Sequence, residues 1–165
     1  MVNPPKVQAS QVLLMSSWPA ADTLSGAKTA AVTCNHNTPM AGVADITIVA
    51  DVGPEAISGS TRMKAATAQK MVLNMITTGA MTRLGYVYDN LMVNVQPSNV
   101  KLANRARRIV AAAADVGPEE AARLLEASGG AVKTAIVMAR RKLGRAEADD
   151  LVRRANGRIS VALGL

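Results

Sequence analysis

Gly53-Pro54-Glu55-Ala56-Ile57-Ser58-Gly59-Ser60-Thr61-Arg62-Met63-Lys64 runs without a break into the apolar stretch from Met71 to Met81. Gly53-Pro54 marks a turn, and the Ser and Thr residues that follow are helix-capping types. The sequence therefore predicts a long helix from about Ser60 to about Leu84, stopped at Gly85. At such an entrance the first backbone N–H groups lack intrahelical partners and the helix dipole is positive. The hydroxyls of Ser58, Ser60 and Thr61 and the cations Arg62 and Lys64 add to this, making a cradle suited to a phosphate. From Met71 to Met81 the helix is apolar nearly all round, which predicts a buried central helix.

Working outward, the N-terminal third reads as short buried strands over Gln11 to Ser16, Lys28 to Thr33 and Asp45 to Ala50. Short apolar runs bounded by turn residues fit parallel strands covered on both faces. The segment Asn35 to Ala44 leaves room for one turn of helix between the last two. Beyond Tyr88 the pattern changes: Lys101 to Asp115 reads as a helix with an Arg-rich outer face. Pro118-Glu119-Glu120 opens another helix, closed by Gly129-Gly130. Two more end in Arg140-Arg141-Lys142 and Arg153-Arg154, where cations complement the dipole. Residues 1–100 are thus expected to form an α/β domain and 101–165 a small all-α C-terminal subdomain.

The chain has 165 residues and a net charge of +7, with Trp18, Tyr86 and Tyr88 as its aromatics. Its core must be built from aliphatic residues and nine Met, which pack adaptably. The basic balance suits anionic small molecules; without interleaved aromatics or a binding motif it argues against nucleic acid. A single cysteine, Cys34, excludes an internal disulfide, and no Cys/His cluster suggests a metal. The N-terminus carries no apolar signal core, and Met71 to Met81 is too short to span a bilayer. A reducing cytoplasm is the expected compartment.

The run from Gly53 to Lys64 resembles the sugar-phosphate signature of the N-acetylmuramic acid 6-phosphate etherases and of the related glucokinase regulatory protein. The resemblance continues through Lys64 to Met75, Asn90 to Val95, Ser98 to Ala103 and Arg105 to Val110, with Gly26 to Asn35 upstream. It implies a partial sugar isomerase (SIS) type fold, a flavodoxin-like parallel sheet with the long buried helix, followed by the helical tail. It also implies a carbon–oxygen lyase of cell-wall amino sugar catabolism. Such enzymes open the D-lactyl ether of N-acetylmuramic acid 6-phosphate, giving N-acetylglucosamine 6-phosphate and lactate, without metal or redox cofactor. A base removes the proton beside the carbonyl of the open-chain sugar, an acid protonates the leaving oxygen, and water then adds. Two positioned carboxylates suit that work.

In the family both glutamates precede everything matched here, so catalytic residues stay unassigned and little or no turnover is expected of this chain alone. Glu55, Ser58, Gly59, Ser60, Thr61, Arg62 and Lys64 are the candidate substrate-binding residues. Glu55 either orients the loop, hydrogen-bonds a sugar hydroxyl, or serves structure alone. His36 reads as a surface residue and Cys34 as a small core residue; Asn94, Gln96, Ser98 and Asn99 either close over a sugar or form turns. The family's Ser/Gly-rich first loop is replaced here by Ser16-Ser17-Trp18-Pro19, in a stretch short for a parallel crossover. Either a helix has been lost, or the first strand pairs differently. Few strands cannot cover the Met-rich helix, so an apolar face and an open strand edge are expected. A partner should cover them: a second copy, since family members pair through this domain, or a polypeptide supplying the N-terminal half. The alternatives to an etherase are a non-catalytic sugar-phosphate-binding regulatory module and a basic helical interaction protein.

Overall fold

The computed structural model describes the backbone of residues 10–13 and the whole of residues 29–165. The expected strand's tail at 14–16 and the Trp18-Pro19 loop lie outside the described residues. The chain divides into two compact units, Met1–Ile76 and Thr77–Leu165.

In the first unit, strands β1 (Ser10–Leu13), β2 (Ala30–Thr33) and β3 (Ile46–Val49) form one sheet in the order β1-β2-β3. β2 and β3 run parallel, with Ala30 opposite Ile46 and Thr33 opposite Val49. Their register is pinned at one end by Asp45, whose carboxylate accepts both the Thr29 N–H (2.7 Å) and the Thr29 hydroxyl (2.9 Å). Thr29 Oγ1 in turn accepts the Asp45 N–H at 3.1 Å. The parallel crossover is short, a single 3₁₀ turn over Pro39–Gly42, as the sequence leaves room for. β1 pairs antiparallel with β2, Ser10 opposite Thr33, so the sheet is mixed and not the all-parallel one expected. The physical reason is the connection: an antiparallel return needs no crossover helix, and the stretch before β2 is short for one.

The long helix α1 spans Lys64–Arg83. Of its residues only Ala65 is buried, and Met71 and Met75 are 58% and 62% exposed. The expectation of a buried helix is thereby corrected. An all-round apolar surface calls for neighbours on every side, and no described element packs extensively along α1. The exposed apolar face and open edge are both present: Ile46 and Val49 lie exposed on β3, which ends the described sheet.

In the second unit, β4 (Val87–Tyr88) and β5 (Leu91–Met92) form a hairpin around Asp89, whose φ is +54°. The strand runs on into buried Val93 and Val95. Gly85 precedes the hairpin at φ +75°; a Cβ there would sit 2.9 Å from the Gly157 carbonyl oxygen, so only glycine fits. Five helices follow: α2 (Val100–Ala114), α3 (Pro118–Ala127), α4 (Val132–Arg141), α5 (Arg145–Arg154) and α6 (Ile159–Leu163). They share one core with Val93 and Val95, centred on Val110, Ile136, Val137 and Ile159.

These helices repeat with a spacing of twenty-seven residues. α2 ends in left-handed Asp115 (φ +58°) and α4 in left-handed Lys142 (φ +54°). Val116 N–H then bonds Ala111 O, as Leu143 N–H bonds Met138 O. Extended Gly117 and Gly144 open α3 and α5. Each of those helices closes on two left-handed residues, Gly129-Gly130 and Asn156-Gly157. The closing bonds match too: Gly130 N–H to Leu125 O and Gly157 N–H to Val152 O, both 2.8 Å. The buried positions correspond as Ala121 with Ala148, Val132 with Ile159, and Ala135 with Ala162. Two copies of one helix–turn–helix unit are therefore stacked into a single core.

Candidate functional site

The residues marked by the sequence form one loop, from Asp51 to the head of α1, within the first unit. Asp51 Oδ1 accepts the Gly53 N–H at 3.2 Å, and Gly53 turns the chain at φ +66°. Ser60 N–H donates to Ile57 O at 3.0 Å, closing a turn whose outermost residues are Ser58 and Gly59. Gly59 sits at φ +84°, the conformation that the third position of a type II turn demands. Ser58, Gly59 and Arg62 are exposed, and Ser60 and Thr61 are half-buried.

Glu55 holds this loop to the helix. Its Oε2 accepts the Lys64 N–H and its Oε1 the Ala65 N–H, each at 3.1 Å. The expected Ser or Thr cap is thus replaced by a carboxylate reaching back across the loop, and α1 begins at Lys64 rather than Ser60. The substitution is physically sound, because a negative group at the helix head meets both the unpaired donors and the positive end of the dipole. Ser60 Oγ instead accepts the Arg62 N–H at 3.4 Å, a local turn bond. Ala66 N–H bonds Thr61 O, so the first three donors of α1 are satisfied within the protein. Lys64 Nζ donates to Pro54 O at 2.9 Å, tying the loop down a second time.

The N–H bonds from Lys64 and then Ala65 hold the Glu55 carboxyl below its ordinary value of 4.5. Cys34 lies against the same helix head, its Sγ 4.0 Å from Ala65 O. Burial first, and then the charges of Glu55 and Asp51, push its thiol above the ordinary 9.0. His36 is exposed and 3.6 Å from Asp51 Oδ2. In the second unit Asn94, Gln96, Ser98 and Asn99 are exposed. Asn99 caps α2, its Oδ1 accepting the Leu102 N–H at 2.9 Å.

The groups of this loop chemically suited to an anion are the hydroxyls of Ser58, Ser60 and Thr61 and the Arg62 cation. The loop is badly placed to take a proton, because both oxygens of Glu55 already accept hydrogen bonds and its carboxyl is acidic. Of the roles the sequence left open for Glu55, these bonds match orientation of the loop; that it does so by capping α1 was not legible, because its spacing is not that of a capping box. Sequence reasoning also missed that Cys34 abuts the helix head, a proximity that no local pattern encodes.

No protein-family profile matches the chain. Among curated proteins it is 49% identical over 138 residues to the N-acetylmuramic acid 6-phosphate etherase of Geobacillus sp. (strain WCH70), covering 84% of this chain and 47% of that one. It is 51% identical over 138 residues to N-acetylmuramic acid 6-phosphate etherase 1 of Enterococcus faecalis, covering 84% and 46%. To the etherase of Salmonella paratyphi B it is 50% identical over 139 residues, covering 84% and 47%. The chain spans about half the length of these relatives. A match of 138 residues within 165 necessarily runs through the loop at 53–64.

Proposed function

This chain is a relative of the N-acetylmuramic acid 6-phosphate etherases over about half their length, and on that premise we propose that it carries the sugar-phosphate-holding part of such a lyase. The observation behind the proposal is an identity of about 50% over matches of 138 and 139 residues that include the Gly53–Lys64 loop. In this reading Ser58, Gly59, Ser60, Thr61 and Arg62 meet the phosphate of N-acetylmuramic acid 6-phosphate. Glu55 and Lys64 keep the loop in the shape that does so. The base that removes the proton beside the sugar carbonyl, and the acid that protonates the departing lactyl oxygen, come from outside these residues. The chain alone turns over little or no substrate. A second copy, or a polypeptide equivalent to the rest of the relatives, covers the apolar face of α1 and the edge of β3.

A second reading, a non-catalytic sugar-phosphate-binding regulatory module, is favoured by one observation: Glu55, the carboxylate beside the Ser58–Thr61 hydroxyls, is committed to the helix head. Both readings require binding. Purified chain is melted with and without N-acetylglucosamine 6-phosphate and N-acetylmuramic acid 6-phosphate, with the free sugars as controls. Ligand at a hundred times its dissociation constant adds about 2.7 kcal/mol. A melt raised by the phosphorylated sugars alone supports binding, and lactate release from the second ligand then decides between lyase and module. A cooperative melt indifferent to both ligands overturns the two readings together.

A further inference from the structure

Within the second unit, the twenty-seven-residue repeat sets α2 of its first copy against α4 of its second. α4 is enclosed on both sides, by α2 and α3 before it and by α5 and α6 after it. α2 packs on α3, on α4 and, among the described elements ahead of it, on short β5. The difference is visible at matched positions. Thr134 and Ala135 on α4 are buried, Thr134 donating to Asp149 Oδ1 at 2.6 Å, whereas their counterparts Arg107 and Arg108 are exposed. α2 is thus the open end of a helix stack.

An open end needs only a polar face to remain soluble, and the arginines alone would provide one. What lies between α2 and α3 is different: an open groove of about 1020 Å³ whose apolar lining is Val100, Ala111, Pro118 and Ala122. Val100 is 79% exposed, which a purely solvated end does not require. The polar lining is Lys101, Asn104, Arg107 and Arg108 on α2, with Glu119 on α3. α2 carries four cations, Lys101, Arg105, Arg107 and Arg108, and no acid. Among the described residues none of the four makes an ion pair with a carboxylate.

We propose that this groove docks an acidic amphipathic helix of a partner protein. Small residues such as Ala111 and Ala122 let a third helix settle between two others by ridges-into-grooves packing. The cations select acidic flanks by charge complementarity. The chain already contains a helix of this kind: α3, with Glu119, Glu120 and Glu126 around buried Ala121 and Leu125, packs against α2 on the neighbouring side. The α2 face of a second copy is a poorer occupant of this groove, because it too carries four cations and no acid.

The test uses the full chain and a fluorescein-labelled peptide of about three heptads with Leu on one face and Glu on the flanks. Its controls are a scrambled peptide of the same composition, oligouridylate, and phosphatidylserine vesicles. Anisotropy should show saturable binding, roughly tenfold weaker with the scrambled peptide. The combined Lys101→Glu, Arg107→Glu and Arg108→Glu variant should weaken it roughly tenfold or more, with its circular dichroism unchanged. Val100→Ser should weaken it without altering its salt dependence. The proposal is overturned by absent binding, by equal binding of the scrambled peptide, or by indifference to the charge reversals. Tighter binding of oligouridylate or vesicles than of the peptide overturns it as well, assigning the basic face to nucleic acid or membrane.

Discussion

The Glu55 carboxylate accepts the backbone N–H of Lys64 at 3.1 Å across nine residues, so the loop and the helix head behave as one piece. The bond that shapes the candidate site is also the bond that starts α1.

Glu55→Gln keeps an acceptor oxygen and loses the charge. Amide hydrogen exchange at Lys64 and Ala65 should accelerate in Glu55→Gln and more in Glu55→Ala. In the wild-type chain the Glu55 carboxyl lies below its ordinary 4.5. Its contribution to stability is therefore fully present above that value and is lost as pH falls through the lower folded value. The protection factors at these amides, exchange rates corrected for intrinsic pH dependence, should follow that acid limb in the wild type and stay flat in Glu55→Gln. An unchanged acid limb in the variant would remove Glu55 from the account.

The loop variants separate binding from capping. Ser60→Ala and Arg62→Ala should reduce the thermal shift given by the phosphorylated sugars while leaving the unliganded melt within about 0.5 kcal/mol. Gly59→Ala should cost about 1–2 kcal/mol without ligand, since φ of +84° strains any residue with a Cβ. Unchanged ligand shifts in all three would place any binding elsewhere.

Alkylation of Cys34 proceeds through the thiolate. Its half-maximal rate should fall at a pH above the ordinary thiol value, because burial and the charges of Glu55 and Asp51 oppose ionisation. Glu55→Gln should lower that midpoint only part of the way, since burial is the larger cause. Iodoacetamide rates against pH provide the check, and a midpoint below the ordinary value would contradict this geometry.

Substitutions at two left-handed positions should have opposite effects. Lys142, an exposed C-cap at φ +54°, carries a Cβ that the conformation disfavours. Lys142→Gly should stabilise by about 0.5–1 kcal/mol. Gly85→Ala meets Arg158 Cγ at 2.8 Å and the Gly157 oxygen at 2.9 Å, and should destabilise by at least about 1–3 kcal/mol. Urea unfolding of the two variants reads both signs at once.

Packing makes a last contrast between residues of similar hydrophobicity. Ile136 is fully buried, and Ile136→Ala should cost about 2–5 kcal/mol. Met75 is 62% exposed, and Met75→Ala should change stability by less than about 0.5 kcal/mol in the monomer. If the chain self-associates through α1, Met75→Ala should weaken association instead, as light scattering would show.

How much of this was legible can be followed residue by residue. The short strands at Ala30–Thr33 and Ile46–Val49 announce themselves by β-branched residues between turns. Helices α3 to α5 announce themselves by Pro118, Gly129-Gly130 and the terminal arginines, whereas the Asn99 cap of α2 and the five-residue α6 do not. The hairpin at Asp89-Asn90 went unread because each of its strands is two residues long, too short to show a period. The repeat went unread because only scattered identities mark it, among them Glu120 with Glu147, Leu124 with Leu151 and Gly130 with Gly157. Its backbone angles agree far better than its letters do, since several residue types tolerate a left-handed turn.

By itself the sequence determined what depends on neighbours along the chain: helix ends, turns, the charge of α2, and the hydroxyl-rich loop that points to a phosphate. Tertiary structure alone decided what depends on residues distant in sequence. It set the antiparallel pairing of β1, the exposure of Met71 and Met75, and the open groove at the end of the stack. It also made Glu55 the cap of α1. Local propensity fixes backbone torsions within a few residues, whereas burial and long-range hydrogen bonds depend on which surfaces the folded chain brings together.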